Sequence, residues 1–342
     1  MERIVAALAA IVLGVGALIL YFFGTNFLLD RLMPDRVDAN GIPIESREKQ
    51  RERIRPWLFV GPAVIILGIY LVYPAIQTIF LSFFDDNGKE FVGLSNYQWA
   101  IENPGFRQSI SNNILWLLIV PFFSTGLGLL VAVLADRIRW GPFAKSLIFM
   151  PMAISFVGAS VIWKFVYDAN LASAGNDIPQ QIGILNSIIV SLGGSPTDWI
   201  TVSFWNNFFL MMILIWIQTG FAMVILGAAL RGVPEETLEA ARIDGASEVR
   251  IFFNIMLPQI MTTILVVITT IIITVLKVFD VVQVMTNGQW DTQVLANLMY
   301  DLMFRGGGDF GRSSAVAVVI MVAVIPVLVW NIRRFRQEEA YR

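Results

Sequence analysis

Glu239-Ala240-Ala241-Arg242-Ile243-Asp244-Gly245-Ala246, followed by Ile255-Met256-Leu257-Pro258, is a polar island between two long apolar stretches. From Pro234 to Met256 the apolar residues Leu238, Ala241, Val249, Phe252 and Met256 recur at helical steps. That spacing predicts an amphipathic helix interrupted once, at Gly245. Pro234 can open the first helix, because the first helical position needs no N–H. Glu235, Glu236 and Glu239 follow in its first turns, where the helix dipole favours negative charge. Gly245 permits a sharp bend between two short helices, and Pro258 closes the unit before the next apolar run. Read on shape alone, this is a solvated loop with interfacial helices. A membrane chain gains little from so structured a polar loop unless something docks on it.

The surrounding sequence places that loop in a membrane protein. Of the 342 residues, 56% are hydrophobic and 15% charged, against about half and a quarter in soluble domains. The excess lies in runs at Ile4–Phe23, Trp57–Phe83, Ser109–Leu134, Phe143–Tyr167, Ser203–Leu230, Gln259–Val282 and Ser313–Ile332. Each is long enough for the ~20 residues a helical span requires, so about seven transmembrane helices are expected in an all-α polytopic fold. The first run exceeds the ~7–15 apolar residues of a signal peptide and reads as a retained helix, within a segment 1–29. Residues 30–56 form a basic linker, 57–333 a core of six spans that includes the loop 231–258, and 334–342 a tail.

Charge asymmetry orients the chain. Arg31, Arg36, Arg47, Lys49, Arg51, Arg53 and Arg55 in the linker fall on the same side as Arg137, Arg139, Lys145, Arg231, Arg242, Arg250 and the tail arginines. The opposite loops carry only Lys89, Arg107, Arg305 and Arg312, and residues 168–207 contain no Lys or Arg. The positive-inside rule then places the N-terminus outside and the C-terminus and the Glu239 loop in the cytoplasm. The chain has no Cys and no His. This excludes disulfides, thiolate or imidazole metal ligands, cysteine nucleophiles and Ser-His-Asp triads. No G-x-x-x-x-G-K-[S/T] occurs, so the chain carries no phosphate-binding loop of its own.

The pattern E-A-A-x-x-D-G-A with I-x-L-P resembles the signature loop of the membrane subunits of ABC importers, with every signature position filled. From about Trp57 onward the chain is similar to carbohydrate permeases of the maltose and α-glucoside type. The similar positions include Gly183, Asn186, Gly193, Pro196 and Trp199 in an outer segment, and Thr286-Asn287-Gly288, Thr292, Tyr300 and Phe310-Gly311 further on. The resemblance implies a type I importer transmembrane domain with a cytoplasmic coupling helix. It also implies a homologous second permease, two ATPase copies that hold the ATP and Mg, and a periplasmic or extracellular sugar-binding protein, in a bacterial inner membrane. Glu239, Ala240, Ala241, Asp244, Gly245, Ile255, Leu257 and Pro258 are then the ATPase-coupling residues. No catalytic residue, metal, bound cofactor or nucleic-acid partner is expected for this chain itself.

Polar residues inside spans mark a candidate solute path. Lys277 and Asp280 are three residues apart and so are expected on one helix face, together with Thr274. A polar wall for sugar hydroxyls and a structural Lys–Asp pair near the outer interface both fit that spacing. Gln218 and, one turn on, Phe221 could contact solute or pack between helices. The resemblance puts the solute between the fifth and sixth spans. Where maltose permeases carry asparagines in the sixth, this chain has Val275 and Val278, which leaves trehalose, sucrose and maltose-like sugars all open. The competing classes are an ion-coupled secondary transporter, which should show several intramembrane carboxylates, and an importer of the same fold for a non-sugar solute.

Overall fold

The protein is described by a computed structural model covering residues 2–33, 36–37, 43–45, 48–136, 138–169 and 183–340. Its chain divides into two units, Met1–Gln77 and Thr78–Arg342.

In the first unit, α1 (Glu2–Leu32) precedes an antiparallel ribbon of β1 (Arg36–Val37) and β2 (Pro43–Glu45), and α2 (Glu48–Leu67) follows. Two aromatic contacts join α1 to α2: the Tyr21 hydroxyl donates to the Leu58 carbonyl at 3.0 Å, and the Phe22 and Phe59 rings stack at 4.8 Å. Asp30 accepts from Arg55 at 3.0 Å and faces Arg51 at 3.5 Å. Both pairs are partly exposed and contribute little. The linker expected over 30–56 is thus shorter than its composition suggested. Glu48-Lys49-Gln50-Arg51-Glu52-Arg53 is a run of strong helix formers and simply extends the next helix backward. Linker residues 34–35, 38–42 and 46–47, together with Arg137 and residues 170–182, lie outside the described residues.

Helix α2 continues through a π turn at Gly68–Val72 into α3 (Tyr73–Leu81). Pro74 lies just past the wide turn, where its missing N–H would otherwise leave a gap in the ladder. The second unit contains α4 (Ser95–Glu102), α5 (Pro104–Ala135), α6 (Gly141–Phe149), α7 (Phe156–Tyr167), α8 (Ile184–Ser191) and α9 (Trp205–Arg231). Beyond them come α10 (Glu235–Ile243), α11 (Glu248–Ile251), α12 (Leu257–Gln259), α13 (Met261–Leu276), α14 (Asp280–Met285), α15 (Leu295–Tyr300) and α16 (Phe310–Ala340).

Among the described residues, five helices are long and apolar enough to cross a membrane, or seven if each of two bent pairs counts as one span. The run expected as one span over Phe143–Tyr167 is bent by 108° between its two helices. Pro151 sits in a 3-10 turn at Met150–Ala153, and Ser155 restarts the helix by accepting from Gly158 N at 3.1 Å. The sixth span enters at a 68° bend. Pro258 there follows a π turn at Phe252–Met256.

The core of this unit is α9, which lies against α5, α6, α7, α13 and α14. Small residues permit the closest approaches. A Cβ at Gly128 would lie 2.5 Å from that of Ala222, and one at Gly220 would lie 2.6 Å from the Ile148 carbonyl, at the bend. Trp116, Leu210, Met211, Met223 and Leu226 fill the space between these helices and are fully buried.

Candidate coupling loop and translocation face

The predicted helix–turn–helix is present. Helix α10 ends at Ile243, and Gly245 adopts φ +80°, the left-handed region in which L side chains are strained. Gly245 N donates to Arg242 O and Ala246 N to Ala241 O, both at 3.0 Å. These two bonds form a Schellman cap, which satisfies carbonyls that would otherwise dangle at the helix end. Ser247 then caps α11 through its hydroxyl, which accepts from Arg250 N at 3.4 Å. Arg242 bridges the turn, donating from Nε to Glu248 at 2.8 Å. Glu248 holds the Arg242 guanidinium above its ordinary pKa, with Glu235 and Glu239 adding to the field.

One side of this unit is tied down and the other is bare. Leu238, Phe252, Met256 and Leu257 pack on the core, Ala241 and Ile255 are half-buried, and Ile251 is buried. Glu239, Ala240, Asp244, Gly245 and Pro258 are exposed. Ile243 is 85% exposed, an apolar side chain held out from the loop beside Ala240 and Glu239. At the same end of the unit, Asp136 accepts from Lys145 and faces Arg231 at 3.6 Å, which ties together the ends of α5, α6 and α9.

The expected helix-face pairing of Lys277 with Asp280 does not occur. Helix α13 stops at Leu276; Lys277 has φ −110° and ψ 25°, and Phe279 has φ −138° before α14 opens at Asp280. Lys277 is exposed and Asp280 half-buried, and among the described residues they form no ion pair. The stretch contains neither Gly nor Pro. Its break goes with tertiary contacts that override propensity: Val278 is buried in the core, and the Phe279 ring rests 5.1 Å from Tyr300. Thr274, half-buried, returns its hydroxyl to the Thr270 carbonyl at 3.1 Å. Val275 and Val278 are core residues. On α9, Gln218 is buried with no hydrogen-bond partner among the described residues, and Phe221 is half-buried against the core.

Sequence reasoning missed how the opposite ends of the spans are fastened. Asp291 is the hub. Its carboxylate accepts from Gln108 at 2.7 Å and Ser203 at 2.8 Å, and its carbonyl accepts from Asn112 at 2.8 Å and Asn207 at 3.3 Å. Asn206 donates to the Trp290 carbonyl at 2.5 Å, and Asn113 accepts from Leu295 N at 2.8 Å. The starts of α5 and α9 are thereby clasped to one loop, whose Asn287, Trp290 and Asp291 all have positive φ. The two side-chain donors hold the Asp291 carboxyl below its usual pKa.

A second knot accounts for Gly183, Asn186 and Trp199. Asn186 is fully buried, donates to the carbonyls of Asp168 and Thr197, and accepts from Thr197 N and Trp199 Nε1, each at 3.0 Å. Gly183 beside it is required by space, since a Cβ would lie 2.6 Å from backbone atoms of Phe165, Val166 and Asp168.

The family described as "Binding-protein-dependent transport system inner membrane component" matches residues 106–335. The alpha-glucoside transport system permease protein AglF of Rhizobium meliloti is 59% identical over 99% of each chain. The osmoprotective compounds uptake permease protein GgtC of Synechocystis sp. is 50% identical over 83% of this chain and all of its own. A crystal structure of a bacterial ABC transporter that imports alginate superposes with a TM-score of 0.71 at 19% identity, over 84% of this chain and 99% of that one. The fold is accordingly that of an ABC importer transmembrane domain. This chain belongs to the inner membrane components of binding-protein-dependent transport systems.

Proposed function

We propose that this chain is one of two homologous permease subunits lining the path of an ATP-driven importer for α-glucoside-type di- or oligosaccharides. The observation that carries the substrate class is the 59% identity, end to end, with the permease AglF. In this reading the chain hydrolyses nothing. Partner ATPases supply the energy, and a sugar-binding protein delivers the solute from outside. The 50% identity with a permease for osmoprotective compounds supports a second reading, uptake of a small compatible solute by the same machinery.

The loop 231–258 lies in the cytoplasm in this reading, with the N-terminus outside and the C-terminus inside, on the charge bias above. Helix α10 seats in a cleft of an ATPase subunit. Exposed Ala240 and Ile243 supply the apolar contact and Glu239 pairs with a basic residue there. Asp244 and Gly245 turn the chain away, and Ile255, Leu257 and Pro258 carry the displacement into α13. Gln218 and Phe221 on α9, with Thr274, Lys277 and Asp280 around the break in α13, face the solute. Buried or membrane-level polar groups without protein partners are costly unless they meet water or solute.

The deciding experiment is uptake of radiolabelled maltose, sucrose and trehalose by vesicles carrying the assembled importer, with and without ATP. ATP-dependent uptake of at least one is expected, and Glu239→Lys should abolish it while the subunit stays in the membrane. Uptake that persists without ATP would favour the ion-coupled class. Because Lys277 and Asp280 are not paired with each other, Lys277→Ala and Asp280→Ala should impair transport independently. Full transport with unaltered preference in both removes them from the path.

A further inference from the structure

The break after α13 exposes a second surface that lies outside the α9 and α13 walls. The half-buried residues Phe279, Asp280 and Gln283 lie along one side of α14, while Val281, Val282 and Met285 point into the core. From a different element, Tyr300 stands against Phe279, with ring centroids 5.1 Å apart at 49°, and Phe304 stands against Tyr300 at 4.9 Å and 43°. The three rings make a stair whose last step, Phe304, is 70% exposed. The Arg305 guanidinium lies over the Tyr300 ring, 5.7 Å from its centroid, and is held there by Asp301 and Asn287.

Three oxygen-bearing side chains beside the stair lack partners among the described residues. Gln283 Oε1 is buried with no donor, and neither the Tyr300 hydroxyl nor the Asp280 carboxylate has a hydrogen-bond partner among the described residues. A buried oxygen left without a donor is unfavourable unless a ligand or water supplies one. Lipid chains supply none, so a purely acyl-facing surface does not account for an orphan amide oxygen and an unpaired carboxylate beside the rings. A pyranose accounts for both halves. Its C–H faces are apolar and lie flat on aromatic rings, and its hydroxyls donate and accept around the rim.

We propose that Phe279, Tyr300 and Phe304 form a stacking platform for a pyranose ring at the outer end of the path, with Asp280 and Gln283 taking its hydroxyls. The inference rests on the sugar-importer reading above and adds a specificity element to it: solutes without a ring lose the stacking contribution.

The test uses the complete importer in proteoliposomes, with its ATPases and binding protein. It follows whichever of maltose, sucrose and trehalose the wild type moves fastest. Sugar uptake and ATP hydrolysis are measured in the same vesicles for Phe279→Leu, Phe304→Leu and the aromatic exchanges Phe279→Tyr and Phe304→Tyr. The leucine variants should move about tenfold less sugar per ATP, and the aromatic exchanges should stay within about twofold of wild type. Phe304, being exposed, keeps the test valid if Phe279→Leu fails to assemble. Wild-type sugar-to-ATP ratios in Phe304→Leu, or equal losses in Phe304→Leu and Phe304→Tyr, overturn the platform and reduce the rings to packing. A wild-type importer that moves none of the three sugars strikes instead at the proposed function.

Discussion

Replacing Gly245 tests the proposed coupling role of the loop with little steric confusion. A Cβ built at this position meets nothing within 4 Å, so a substitution there acts through backbone conformation alone. The residue sits at φ +80°, and holding an L-residue in left-handed geometry costs about 1–2 kcal/mol, less for Asn and more for a β-branched side chain. That energy changes the ratio of turned to unturned loop by roughly 5–30-fold. If α10 must be turned to seat on its ATPase, apparent affinity falls by up to the same factor. The series Gly245→Asn, Gly245→Ala and Gly245→Val should therefore weaken ATPase retention and uptake in that order. Detergent extracts of membranes, titrated with purified ATPase, give the affinities, and vesicle uptake gives the functional loss. Gly245→Val matching wild type in both would refute the requirement for this turn. Equal loss in all three would refute the conformational account, because Asn tolerates the geometry that Val does not.

Three further outcomes follow, two from the loop fastenings and one from the packing of α5 on α9. Asn186→Ala removes four hydrogen bonds in a fully buried position and should cost about 3–5 kcal/mol, since several of the partners it leaves behind are orphaned. A thermal melt of the purified subunit reads this as a large drop in Tm, and an unchanged Tm would mean the knot carries no stability. The hydrogen bonds from Gln108 and Ser203 hold the Asp291 carboxyl below the ordinary range of an aspartate. Its contribution is therefore complete above the unfolded pKa and is lost as pH falls through the folded one. Stability measured as the pH is lowered through the carboxylate range should show a component that Asp291→Asn abolishes; identical pH profiles for the two proteins would contradict it. Gly128→Leu, whose Cβ would start 2.5 Å from that of Ala222, should separate α5 from α9 and prevent accumulation of the folded subunit. Normal membrane levels on immunoblots would show that the two helices can part without loss.

The loop was legible because its determinants are local. Pro234, the run of glutamates, Gly245 and Pro258 each act on the few residues beside them, and the structure puts a helix, a left-handed cap and a bend where those residues require. Apolar runs likewise located the spans. The bend in the fourth run rests on Pro151 and Ser155, local signs that a reading by run length alone passes over. The break at Lys277–Phe279 carries no such local sign, since nothing there disfavours a helix; it depends on Tyr300, which meets Phe279 only in the folded chain. The clasp left a partial trace in the pairs Asn112-Asn113 and Asn206-Asn207 near the starts of two spans. Their partners lie up to 182 residues away at Leu295, beyond any periodic or short-range reading.

The clasp at Asp291 also determines where the subunit can give. With the starts of α5 and α9 bonded to one loop and their far ends joined to each other through Asp136, α9 becomes, together with α5, a lever pivoted at the clasp. Its 27 residues make an arm of roughly 40 Å, so each ångström of travel at its loop end turns it by about 1.4°. Along such an arm displacement falls in proportion to distance from the pivot, and Gln218, near the midpoint, receives about half of what the loop receives. A stroke at the loop end is thus geared down before it reaches the middle of the span, exchanging amplitude for force. Loosening the pivot would let the whole arm translate, and the stroke would then be spent without rotation.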